Sequence, residues 1–131
     1  MSIEINEEIR RNFHLFWDNY PAPVMLVHKD RTIIEANKAG QEIGCPVGMR
    51  CVDMGEKKHH AGCRANTAMR ERTGVREVAY SEYLGQVVDG YWIPLAGSEE
   101  LYVHFGNDIT EYAADRLFPS KCGSAGSECG S

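Results

Sequence analysis

His28-Lys29-Asp30-Arg31-Thr32-Ile33-Ile34-Glu35-Ala36-Asn37-Lys38-Ala39-Gly40 is the stretch whose reading decides the fold. Its polar triplet Lys29-Asp30-Arg31 is a turn between two strand-like runs. Before it, Pro23 to His28 is apolar and too short for a helix, so it suits a buried strand. After it, Thr32-Ile33-Ile34-Glu35-Ala36 is rich in β-branched residues, which favour strands. The two runs form a hairpin. Asn37 follows the second strand at once, and its side chain is suited to accept hydrogen bonds from the first turn of a helix. A short helix is therefore predicted through Ile43, with Gly44 as its left-handed stop.

On the N-terminal side, Asn6 followed by Glu7 and Glu8 reads as a helix cap with first-turn acids. Ile5, Ile9, Phe13, Phe16 and Trp17 recur at three- and four-residue steps and make one apolar stripe. Pro21 ends that segment. A stripe does not name its partner, so this helix covers its own domain or pairs with a second copy. On the C-terminal side, Arg64 to Thr73 has helix-forming composition, closed by Gly74. Val75 to Leu84 reads as a strand, Gly85 as a turn and Val87 to Leu95 as a second strand, with Asp89-Gly90 as a bulge or a competing turn. Leu101, Val103 and Phe105 alternate with Tyr102, His104 and Gly106, the pattern of a half-buried strand. A short helix from Glu111 to Leu117 follows. From Ser120 the chain is nearly all Gly and Ser and reads as a flexible extension. The organisation is an amphipathic helix over 1–20, a domain over 21–113 and an extension over 114–131.

The 131 residues suffice for one domain with a core. A formal charge of -5, with no long run of Lys or Arg, argues against a nucleic-acid binder. No apolar stretch approaches the ~20 residues of a membrane helix. The start, MSIEINEEIRRNF, is acidic and amphipathic, unlike a secretory signal. A cytoplasmic location is expected, where thiols are ligands, sensors or core filler rather than disulfides. The odd count of five cysteines weakens a disulfide framework further.

The order of two strands, a capped short helix, an irregular stretch, a second helix and three strands resembles a PAS domain. The His28–Gly40 hairpin with its turn acid and Asn-x-Ala carries that resemblance, together with Asn107-Asp108-Ile109-Thr110-Glu111 leaving the last strand. Gly48-x-x-Cys51, Cys63, Ala68 and Thr73-Gly74 are similar to a cysteine-bearing variant found in bacterial kinases and transcriptional regulators. The resemblance spans roughly residues 13 to 113. It implies an α+β fold, with a five-stranded antiparallel sheet, helices on one face and the N-terminal amphipathic helix. It also implies a cavity for a small ligand or cofactor, and signalling through flanking helices or a homodimer. No kinase, DNA-binding or cyclase segment is visible, so the signal is expected to pass to a separate output protein.

Chemistry concentrates in Cys45–Cys63, CPVGMRCVDMGEKKHHAGC, with spacing C-x5-C-x11-C and two histidines before the last cysteine. Cys45, Cys51 and Cys63 with His59 or His60 could complete a tetrahedral zinc site or hold an iron–sulfur cluster. Cys63 precedes a helix, where the dipole favours a thiolate and hence redox sensing. The alternative is that these cysteines are small core residues. Haem ranks below zinc and iron–sulfur, because the resemblance implies a ligating histidine within the cavity helix and His59 and His60 stand before it. Flavin is disfavoured: Gly48-Met49-Arg50-Cys51 is faintly similar to the photoactive motif, but Val52-Asp53-Met54 does not continue it.

His104 and Tyr102 share one parity of the last strand and are candidate cavity groups for a ligand. His14 and His28 are taken as surface or hairpin residues, and Trp17, Tyr91 and Trp92 as core and interface bulk. Cys122 and Cys129 fall in the Gly/Ser extension and are not expected to bind metal. No G-x-S-x-G, P-loop, H-E-x-x-H or dinucleotide fingerprint occurs, so an enzyme is not expected. The leading expectation is a sensory module with a metal or redox site. Its alternatives are a module for a small organic ligand with structural cysteines, and a small thiol-based redox enzyme.

Overall fold

The structure, a computed structural model, describes residues 5–50 and 63–119. Helix α1 (Glu7–Trp17) starts at Asn6, whose side chain accepts from the Glu8 N–H at 2.7 Å, so the acidic cap read from sequence forms. Strands β1 (Val24–His28) and β2 (Ile33–Ala36) make the expected hairpin around Lys29–Arg31. Asn37 then caps α2 (Lys38–Glu42), and Gly44 takes φ +81. Helix α3 (Ala65–Glu71) precedes β3 (Val75–Ser81), β4 (Gln86–Pro94) and β5 (Leu101–Asp108). All strand pairs are antiparallel, in the order β2-β1-β5-β4-β3.

Three local readings change. Helix α3 ends at Arg72, which itself adopts the left-handed conformation (φ 56), rather than at Gly74. Asp89-Gly90 is neither bulge nor turn. Gly90 sits mid-strand opposite both Glu77 and Gly106, and the Trp92 ring lies 3.3 Å from the position a Cβ would take there. After β5 come two 3-10 turns, Thr110–Tyr112 and Asp115–Leu117, in place of one helix.

Strand β5 also differs from its half-buried expectation. It lies in the middle of the sheet, and Leu101, Tyr102, Val103 and Phe105 are all buried. Both faces of the sheet are covered. On the first face, Phe13 of α1 packs with Val24, Leu26, Ile34, Leu101, Val103 and Phe105, and Ile9 and Trp17 join them. On the second face, Ala65 and Ala68 of α3 pack with Val27, Trp92 and Tyr102. A central strand covered twice loses the polar alternation that marks a one-sided sheet.

Asn37 ties these layers together at zero exposure. Its Oδ1 accepts from Val24 N–H and Gly40 N–H, both at 2.9 Å. Its Nδ2 donates to the Trp17 carbonyl at 2.9 Å and the Ala22 carbonyl at 3.0 Å. One carboxamide thus joins the end of α1, the start of β1 and the start of α2. Each buried group stranded by its loss costs about 1–3 kcal/mol. Asn37→Ala is expected to lower the unfolding free energy in urea by about 3 kcal/mol. Asn37→Asp, which sets a carboxylate oxygen against two carbonyls, is expected to cost a comparable amount. Losses under about 1 kcal/mol in both variants would show that these elements are anchored elsewhere.

Candidate functional site

Antiparallel pairing brings Met25, His104, Trp92 and Val75 into one row across β1, β5, β4 and β3. Trp92, Met25 and Val75 belong to the second-face cluster, which places His104 on that face as well. The His104 and Trp92 rings lie nearly parallel, 15° apart, with centroids at 4.8 Å. His104 Nδ1 stands 2.8 Å from the Tyr91 carbonyl oxygen. A carbonyl only accepts, so the proton is on Nδ1 and Nε2 carries the lone pair. Burial pushes the imidazole below its usual 6.5, against the smaller opposing effect of that hydrogen bond. The ring is therefore neutral at neutral pH and offers an acceptor.

The surroundings of this acceptor are apolar. Met25, Cys63 and Met69 pack against Val27, Ala65, Ala68, Trp92 and Tyr102. Tyr102, the other candidate on this parity, is 1% exposed and serves as wall. The Arg31 guanidinium lies over its ring, 5.8 Å from the centroid. Arg31 also donates to the Lys29 carbonyl at 2.8 Å and to Asn66 of α3. It comes from the hairpin turn with φ 82, a left-handed conformation uncommon for a residue with a Cβ. These contacts hold it there and close one end of the second face. Nothing in the sequence distinguishes Arg31 from any other polar turn residue, because its role depends on partners far along the chain.

Of the proposed metal ligands, Cys51, His59 and His60 lie outside the described residues, as do Cys122 and Cys129. Cys45 follows α2, half-buried, and burial raises its thiol pKa, which disfavours the thiolate. Cys63 is half-buried at the foot of α3. Neither is in a disulfide, and among the described residues no three His, Cys, Asp or Glu side chains cluster as a metal site.

A different charged cluster, unmarked in the sequence, joins α1 to β2. His14 Nδ1 is 2.7 Å from Asp18 Oδ1, and its Nε2 is 2.8 Å from Glu35 Oε1. Arg10 Nη1 holds the other Glu35 oxygen at 2.5 Å. His14 thus belongs to an interlayer contact rather than to free surface. His28, by contrast, stays at the hairpin as expected, near Asp30 and Glu100.

No known family profile and no curated protein sequence matches the chain. Solved structures do. The PAS domain from Bordetella pertussis BvgS is similar over 82% of this chain and 90% of its own, at 19% identity and a TM-score of 0.60. A sensory box sensor histidine kinase from Vibrio cholerae is similar over 84% of this chain and all of its own, at 13% identity and a TM-score of 0.57. A domain of an HTR-like protein from Haloarcula marismortui is similar over 67% of this chain and 97% of its own, at 17% identity and a TM-score of 0.54. Together with the 2-1-5-4-3 sheet, these likenesses establish that the chain has the PAS fold.

Proposed function

We propose that this chain is a sensory module, not an enzyme, whose second sheet face takes a small neutral organic ligand bearing an N–H or O–H donor. The observation that carries this reading is His104, with its Nδ1 proton committed to the Tyr91 carbonyl and its Nε2 left as acceptor on an apolar face. A donor that reaches Nε2 gains about 1 kcal/mol, and discrimination follows because a ligand without one leaves a buried acceptor unpaired. The stacked Trp92 fixes the ring's tilt. Tyr102 and Arg31 wall the site.

Native mass spectrometry before and after denaturation should reveal a retained organic mass. His104→Phe keeps a ring over Trp92 but removes the acceptor, and should lower ligand retention about five- to tenfold. Because the imidazole pKa is depressed, retention should hold at neutral pH and fall only as pH drops through that lowered value. No organic mass in the wild type, or unchanged retention in His104→Phe, would refute the ligand reading.

A Cys/His site for zinc or an iron–sulfur cluster is the second reading. It is supported by Cys63, which packs on the same face as His104 and follows directly on the segment holding Cys51, His59 and His60. Protein purified without oxygen should then contain zinc or iron, lost when Cys51 and Cys63 are both changed to Ser. A metal-free wild type of unaltered stability in that double variant would exclude it.

Signalling through a homodimer is proposed to use α1. Phe16 protrudes at 76% exposure and also lines an apolar groove of about 230 Å³ with Ile9, Phe13, Trp17, Leu26 and Val103. Leu15 beside it is equally exposed. A surface carrying both a knob and a hollow can pair with its own copy about a two-fold axis. Leu15→Glu with Phe16→Glu should convert a dimer to a monomer in analytical ultracentrifugation and leave monomer stability within about 0.5 kcal/mol. A wild type that is monomeric at high concentration would overturn this.

A further inference from the structure

We propose that the His14 contact with Glu35 and Asp18 is a pH-sensitive clamp that holds α1 on the sheet while the imidazole is doubly protonated and releases it when that proton is lost. The geometry requires the charged form. Both ring nitrogens lie at hydrogen-bond distance from carboxylate oxygens, 2.7 Å and 2.8 Å, and carboxylates only accept. A neutral ring could satisfy one of them and would set its lone pair against the other. Arg10 holds the second oxygen of Glu35 and so fixes the carboxylate in place beside the imidazole.

The groups facing the imidazole come from both elements it joins. Arg10 lies on α1, Asp18 caps its C-terminal end and Glu35 lies on β2, while the Phe13 ring stands edge-on at 5.3 Å. Among the described residues, no other charged side chain makes an ion pair with His14. The three side chains are partly sheltered, at 30%, 29% and 20% exposure for His14, Asp18 and Glu35. That leaves them open to proton exchange yet less screened than a surface pair.

Desolvation lowers the His14 pKa, but the hydrogen bonds and charges of Asp18 and Glu35 outweigh it and raise the value above the usual 6.5. A raised histidine pKa contributes stability that is fully present below the free value and disappears as pH rises through the docked value. The clamp is therefore closed below the ordinary imidazole value and opens as pH rises through the raised docked value. Release acts on α1, which carries Phe13, Ile9 and Trp17 onto the first face and presents Leu15 and Phe16 outward. Protonation thus governs the helix through which dimer contacts are proposed, and it does so without the second-face ligand.

The test reads His14 and α1 separately between about pH 5.5 and about pH 9. NMR titration of the full chain should place the His14 pKa above 6.5. Hydrogen-exchange protection of α1 amides, corrected for intrinsic rates, should fall as pH passes that value, while β4 and β5 amides stay unchanged. The fall should be roughly tenfold for every pH unit separating docked from undocked imidazole. Glu35→Gln removes the acceptor that needs the second proton and should bring the His14 pKa down, moving the protection step to lower pH. His14→Gln should abolish the step and leave α1 at the alkaline level throughout. A His14 pKa at or below 6.5, or a wild-type protection profile identical to that of His14→Gln, would overturn the proposal.

Discussion

The Asn37 carboxamide is the contact on which the other parts of the structure depend. Its two faces satisfy backbone groups from three segments: the exit of α1, the entry of β1 and the first turn of α2. The Val24 and Gly40 N–H groups are buried with Asn37 and have this oxygen as their partner, while the two carbonyls are part-buried. The side chain is therefore held by a requirement for both a donor and an acceptor, which no apolar residue of similar volume meets. Layer positions follow from it. With α1 fixed at its C-terminal end, its apolar stripe falls on β1 and β5, and the hairpin that Asn37 terminates becomes one side of the sheet.

Once that corner is set, the two faces acquire different chemistry. The first is lined by large apolar and aromatic groups, with Tyr91 stacked on Phe105 at 5.0 Å and Trp17 tilted against Phe105 at 5.3 Å. The second is closed by alanines of α3, which bring helix backbone near the sheet and leave room for Trp92 to lie along its own strand over Gly90. Small residues on the helix and at Gly90 are thus what place an indole beside His104. Gly106, opposite Gly90, is constrained too: a Cβ there would come within 2.5 Å of Val88.

Local chemistry was legible in the sequence and long-range chemistry was not. The Asn6 and Asn37 caps, the Lys29–Arg31 turn and the Gly44 stop all depend on residues within a few positions of one another, so their patterns predict them. Where two local rules competed, the wrong one could win. Gly74 looked like the better left-handed residue, yet Arg72 takes that conformation and reaches the Leu95 and Ser98 carbonyls. Gly90 looked like a turn because nothing nearby shows that Trp92 needs the space. Alternation gives His104 and Tyr102 one parity, whereas the His104 tautomer depends on a carbonyl thirteen residues away. His14 reads as a surface residue from its neighbours because its partner Glu35 lies twenty-one residues on.

The two histidines follow opposite logic, and the contrast has a consequence for the whole molecule. His104 is desolvated on an apolar face, which favours the neutral ring and lowers its pKa against the smaller opposing effect of its hydrogen bond to the Tyr91 carbonyl. His14 lies between two carboxylates, which favours the charged ring and raises its pKa. Acid therefore works against the second face: as pH falls through the His104 value, a buried ring must take up charge and its acceptor is lost. Rising pH works against the first: above the His14 value, one carboxylate loses its donor. Both arrangements hold together only between these two values, an interval that contains the ordinary imidazole pKa of 6.5. The two contacts are thus limited by one proton each, and the sheet separates the two titrations physically. Each can shift without the other, because the first lies between α1 and β2 and the second on β5 beside β4.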